Sequence, residues 1–139
     1  MGGPTIDQPK PEQGDAELRC RRSLEQACLA AKIADDYRGA DTRVFDLTKV
    51  TPVFDYFVIT TATSRRQGTA IADEVNRRFK ELGSTKLGTE GYESGDWILV
   101  DYGDVVLHVF MPETRTNYDL EHLWADAETV DWAQVLASE

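Results

Sequence analysis

The chain switches between helical and alternating spacing of its apolar residues, and each switch marks an element. From about Glu17 to Tyr37, Leu24, Ala27, Cys28, Ala31 and Ala34 recur at helical spacing, which predicts an amphipathic helix. Thr42 to Leu47 reads as a short strand. Pro52 breaks the chain before Tyr56 to Thr61, a near-continuous β-branched and aromatic run typical of a strand buried on both faces. Ser64 and Gln67 then have the spacing of a capping box, in which each side chain satisfies an orphan amide at a helix start. Ile71, Ala72, Val75, Phe79 and Leu82 form the apolar stripe of that helix, and Gly83 is placed to end it. Lys86 to Tyr92 is a weaker strand candidate.

The run from Trp97 to Phe110 reads as a β-hairpin whose two faces differ in chemistry. With a two-residue loop (Tyr102, Gly103) or a four-residue loop (Asp101 to Asp104), Val100 lies opposite Val105 and side chains alternate outward from there. One face then carries Ile98, Val100, Val105, Leu107 and Val109, all aliphatic, and is a core face. The other carries Trp97, Leu99, Asp101, Asp104, Val106, His108 and Phe110. Two explanations suit it: a helix covers Trp97 and Phe110 and leaves the aspartates at a solvated turn, or it is a binding face anchored by Trp97 within a charged rim. Asp101 opposite Asp104 would cost about 0.2–1 kcal/mol as a like-charge pair, which a cationic partner would relieve.

Pro112 suits the first position of a short helix, and another is expected around Leu120 to Trp124. Arg115, Tyr118 and Glu121 follow at spacings of three and either extend the binding face or solvate it. Residues 1–16 hold three of the five prolines and no apolar periodicity, which suggests a disordered arm or an expression remnant. Residues 17–125 form the domain. The tail, 126–139, is expected to make one or two loosely docked amphipathic turns from Trp132, Val135 and Leu136. The order of elements predicts a single α/β domain with a mixed sheet of about five strands flanked by helices.

A chain of 139 residues buries a sizeable core without disulfide staples. Cys20 and Cys28 on one helix lie roughly 12 Å apart, too far for a disulfide. The formal net charge of −10 argues against binding to DNA or RNA backbones, which needs clustered Lys and Arg, and suits a basic protein partner. No apolar run approaches the ~18 residues of a membrane span, and no signal peptide is visible, so a cytoplasmic location is expected.

Catalytic templates fit poorly. The passage Thr60-Thr61-Ala62-Thr63-Ser64 resembles a phosphate-holding strand–turn–helix, but it has no glycine and no following Walker lysine, and simple capping accounts for it. Nucleotidyl transfer needs two strand-borne carboxylates two residues apart, whereas Asp101 and Asp104 flank a turn. His108 and His122 have no second ligand at metal-binding spacing, and Cys28 sits in an apolar stripe. No cofactor is indicated and the expectation is a non-enzymatic protein.

The same residues carry a family resemblance, from about Ser23 to Trp124. Asp55-Tyr-Phe-Val-Ile-Thr60, Thr63-Ser-Arg-Arg-Gln67, Ala70-Ile-Ala-Asp73, Glu90-Gly91, Gly95-Asp-Trp97, Asp101-Tyr-Gly-Asp-Val-Val-Leu-His108, Arg115 and Tyr118-Asp-Leu-Glu-His-Leu-Trp124 occur in an order that resembles the ribosomal silencing factor, or Iojap, family. The resemblance implies a nucleotidyltransferase-like fold without the catalytic motif. It also implies binding to the large ribosomal subunit through ribosomal protein L-fourteen, which blocks joining of the small subunit. Organelle relatives are linked to ribosome assembly.

Trp97, Asp101, Tyr102 and His108 match the hairpin region of that contact, with Leu99 and Asp104 beside them, and Arg115 and Tyr118 match the motif after it. A symmetric homodimer through the same face is expected when no partner is present. Two positions depart from the family: Ala62 stands where it usually has Gly, and Gly68 where a larger apolar residue is common. Gly68 should loosen its helix by up to about 1 kcal/mol relative to Ala.

Overall fold

The computed structural model describes residues 11–138. The first helix, α1 (Pro11–Asp36), begins six residues before the boundary at Glu17. Residues 11–16 are therefore helical and no part of an arm, while residues 1–10 lie outside the described residues. Proline is tolerated in a first helical turn, where its missing N–H has no intrahelical acceptor, so Pro11 starts this helix instead of breaking it. The expected apolar stripe is the buried face: Ala27, Cys28, Ala31 and Ala34 are all fully buried.

Six strands follow among the described residues: β1 (Ala40–Asp46), β2 (Tyr56–Thr61), β3 (Gly88–Glu90), β4 (Trp97–Asp101), β5 (Val105–Phe110) and β6 (Glu128–Val130). They form one mixed sheet in the order β3-β4-β5-β2-β1-β6, in which only β2 and β5 run parallel. The parallel pair needs a long crossover, and α2 (Arg65–Glu81) lies within it. The sixth strand is an addition to the five expected. Its three residues pair with β1, and α5 (Trp132–Ala137) follows, with Trp132 Nε1 donating to the Thr42 carbonyl at 3.3 Å. The tail is thus built into the sheet edge and not loosely docked.

The capping box at α2 is half realised. Ser64 Oγ accepts from the Gln67 amide at 3.1 Å, but the Gln67 side chain reaches past the cap. Its Oε1 accepts from the Thr63 amide, and its Nε2 donates to the carbonyls of Tyr37 and Arg38. One side chain so ties the start of α2 to the end of α1.

Two cores lie on opposite sides of the sheet. Against the first face pack α1 and α2: Ile71, Val75 and Phe79 meet Val44, Val58, Ile98, Val105, Leu107 and Val109. On the second face Phe45, Leu47, Phe57, Ile59, Val106 and Phe110 are covered by Leu120, Trp124 and Ala127. These come from the segment holding α3 (Pro112–Tyr118) and α4 (Leu120–Leu123). Gly68 and Ala62 meet at the first core. A methyl on Gly68 would sit 3.4 Å from the Ala62 Cβ, with Val109 and Ile98 just beyond. Ala62 thus borders the space beside Gly68.

Candidate docking surface

The hairpin differs from expectation in register but not in the facing of its strands. Tyr102 pairs with Val105 through a 2.9 Å amide–carbonyl bond, so the loop is Gly103–Asp104, neither Tyr102–Gly103 nor Asp101 to Asp104. Gly103 has φ +92 at the first loop position, as a type II′ turn prefers, and its amide donates to Asp101 Oδ1 at 2.7 Å. Val100 consequently faces Leu107 and Asp101 faces Val106. A shift of two residues keeps every strand side chain on its expected face. It also removes the direct opposition of Asp101 and Asp104, so the like-charge pair does not form.

Tyr102 moves to the aliphatic face. It is buried with its ring 4.6 Å from Phe79, its hydroxyl donates to Asn76 Oδ1 at 3.2 Å, and burial pushes its phenol up to about 12. It is a core residue and does not belong to the surface formed by Trp97. Asp104 sits at the turn, where the Arg19 Nε lies 3.9 Å from its carboxylate and 4.0 Å from that of Asp55. Asp55 is buried, and desolvation, then the nearby Asp104 charge, raises its carboxyl above the usual range. The turn is therefore tied to the first half of α1 and lies apart from the Trp97 end of the hairpin.

On the second face Leu120, Trp124 and Ala127 cover the core of β5, β2 and β1, and α3 reaches the half-open β3–β4 edge through Tyr118. Trp97 and Leu99 are half-buried there, and register sets the exposed Glu90 beside Leu99, with Asp101 two residues along β4. The Trp97 ring stacks on Phe110 at 4.8 Å and meets the exposed Tyr118 ring at 4.8 Å. Gly91 holds the strand leading here: with φ +74, a Cβ would collide with the Trp97 carbonyl oxygen. Only glycine fits that approach.

His108 lies beneath this surface and has no exposed contact. It is 2% exposed, with its ring 4.6 Å from Phe57. Its Nδ1 accepts from Trp97 Nε1 at 3.1 Å, so a neutral ring carries its proton on Nε2, which has no hydrogen-bond partner. A buried donor left unpaired costs about 1–3 kcal/mol. Burial pulls the imidazole down to about 3, so it is neutral at physiological pH.

Arg115 is also no surface contact. It is buried, and its guanidinium makes a two-point pair with Glu121 at 3.0 and 3.2 Å. Nη1 donates to the Asp41 carbonyl and to Thr61 Oγ1, both at 2.8 Å. This fork fastens α3 and α4 to the ends of β1 and β2. Asp41 and Asp119, both in left-handed backbone (φ 49 and 47), flank it.

Of the eight residues singled out from sequence, Trp97, Leu99, Asp101 and Tyr118 share one surface; His108 and Arg115 support it; Tyr102 and Asp104 lie elsewhere. Sequence reading missed Glu90, placed by the β3 register, and Trp124, whose ring meets Phe57 edge-on at 5.7 Å. The period of three through Tyr118, Glu121 and Trp124 was the available signal for the latter. Among the described residues no group of three or more His, Cys, Asp or Glu converges as metal ligands, and no helix is long and apolar enough to cross a membrane.

A half-open aromatic sheet face with carboxylates beside it lies on one mixed α/β sheet. The chain belongs to the ribosomal silencing factor family: a family profile described as "Ribosomal silencing factor during starvation" matches residues 21–139. It is 44% identical over 96 residues to the ribosomal silencing factor of Chromobacterium violaceum, covering 69% of this chain and 79% of that protein. It is 41% identical over 103 residues to the ribosomal silencing factor of Bacillus subtilis, covering 74% and 87%. A mouse protein named for mitochondrial assembly of the ribosomal large subunit is 36% identical over 88 residues, covering 61% and 39%. A crystal structure of a Chromobacterium violaceum protein superposes with TM-score 0.71 at 42% identity, covering 74% of this chain and 86% of that one.

Proposed function

We propose that this protein is a cytoplasmic, ribosome-associated repressor of translation that acts without catalysis. It docks the open β3–β4 half of its second sheet face on ribosomal protein L-fourteen of the large subunit, and its bulk then excludes the small subunit. The observation that carries this reading is Trp97, an aromatic anchor stacked on Phe110 and tilted against Tyr118, on the strand that carries Asp101 and pairs with Glu90 at Leu99. Tryptophan is enriched among residues that dominate interface energies. The net charge of −10 favours encounter with a basic protein. The names of the bacterial relatives support the same reading. A free protein with this face exposed pairs with a second copy in a symmetric dimer.

The test is co-sedimentation with separated large subunits, small subunits and assembled ribosomes at two salt concentrations. Retention by large subunits alone, with subunit joining lost, is the expected result. Trp97→Ala should weaken retention by ~2 kcal/mol or more, roughly 30-fold. Unchanged retention of a folded Trp97→Ala protein would remove the anchor from this reading. The name of the mouse relative favours one second reading, in which the same face binds immature large subunits during assembly. Retention by precursor particles and not by mature subunits would select it.

A further inference from the structure

We propose that His108 is a positioning residue, whose Nδ1 fixes the plane of the Trp97 indole so that the partner meets the ring through its carbon edge and not its N–H. This rests on the docking reading above. Every other β5 residue is apolar (Val105, Val106, Leu107, Val109, Phe110), and all are buried. A further apolar side chain would fill the His108 site with no unpaired nitrogen. Packing therefore does not account for an imidazole whose Nε2 is buried and without a partner.

The indole does account for it. Trp97 lies at the boundary between the covered and open parts of the second face, packed on Phe110 with a 29° angle between ring planes. A half-buried indole on an aromatic floor has a second orientation, turned over about its Cβ–Cγ axis, in which Nε1 no longer meets His108. Floor packing alone separates the two only weakly, because dispersion contacts are similar either way up. A directional acceptor at 3.1 Å separates them. It also satisfies the only polar group of the ring from within, so the outward edge is apolar. Such an edge receives an aliphatic side chain, or the methylene stem of a Lys or Arg whose charged head continues to Asp101 and Glu90.

The test uses the full chain and two substitutions. His108→Phe keeps an aromatic ring and removes the acceptor; His108→Asn returns an oxygen near the place of Nδ1. The readouts are the Trp97 indole N–H resonance, assigned by its loss in Trp97→Phe, and affinity for separated large subunits. His108→Phe should shift that resonance, speed its hydrogen exchange and weaken binding about tenfold, the scale of one hydrogen bond. His108→Asn should restore slow exchange and bring affinity to within about threefold of the parent. His108→Leu provides the same acceptor-free comparison if the Phe variant does not fold. An acceptor-free variant that binds like the parent, while Trp97→Ala is weakened, overturns the positioning role and leaves the docking reading standing. Parent-like binding by Trp97→Ala overturns the docking reading itself.

Discussion

The two faces of the sheet are covered by different means. The first lies under α1 and α2, and its facing residues are mostly aliphatic or alanine, with Tyr56 among them and Phe79 and Tyr102 closing the end near the turn. The second lies under two short helices and is aromatic: Phe45, Phe57, Phe110, Trp97 and Trp124 gather around a buried histidine. Long helices cover their face completely and need only apolar complementarity. Short helices have little intrinsic stability, so the second cover is fastened by polar bonds at Arg115, and at the β3–β4 edge it thins to the exposed Tyr118 against Trp97. One face is packed under long helices, and the other keeps a half-buried aromatic edge, the surface proposed to dock.

The largest effect should come from the first face. Phe79 is fully buried, and Phe79→Ala should cost about 3–5 kcal/mol in urea denaturation while the folded fraction keeps its affinity for large subunits. Loss of specific affinity by that folded fraction would break the division of labour between faces. Next is Arg115→Met, expected to cost about 2–3 kcal/mol, less than the ~3–5 of a fully buried pair because Glu121 stays partly solvated. Hydrogen exchange should quicken across residues 112–127 and remain slow in β2 and α2. Uniform quickening would mean that the Arg115 fork holds the whole fold and not one cover.

A smaller effect follows from His108. Its folded value is lowered to about 3 against 6.5 unfolded, so between these values the unfolded chain binds the extra proton. Stability is then full above about pH 6.5 and falls as the pH drops toward 3. From pH 7 to pH 5 the loss is about 2 kcal/mol. Asp55 acts in the opposite sense: its raised carboxyl takes up a proton more readily when folded, which favours folding as the pH falls. Denaturation of His108→Leu beside the parent at both pH values isolates the histidine, and equal slopes would refute its contribution. The smallest effect is Gly68→Ala, whose methyl meets Ala62, Val109 and Ile98 at ordinary contact distances. It should stabilise by about 0.5–1 kcal/mol through helix propensity, read as a rise in melting temperature.

Much of the architecture was legible because the signals are local. Alternation places Ile98, Val100, Leu107 and Val109 on one side of the hairpin whatever its turn, since a strand repeats every two residues. The α2 stripe and its Ser64 cap follow from helical spacing in the same way. The turn itself was less legible: Tyr102–Gly103 and Gly103–Asp104 both hold a glycine, and choosing the second carries Tyr102 into the core. The three residues of β6 show no pattern long enough to read, and they become a strand only because β1 offers an unpaired edge.

Among the candidate site residues, residue type pointed to Trp97, His108 and Arg115 without showing their roles. A tryptophan at an open boundary, a histidine beneath it and an arginine in a carboxylate fork all read alike as polar or aromatic side chains near a hairpin. By itself the sequence determined which side of each element is apolar, and hence an α/β sheet with two differently composed faces. Only the tertiary structure decided how much of each face is covered, and so which side chains act outward and which act through a neighbour. Periodicity records the direction in which a side chain leaves its own backbone, whereas burial depends on segments distant in sequence that come to lie over it.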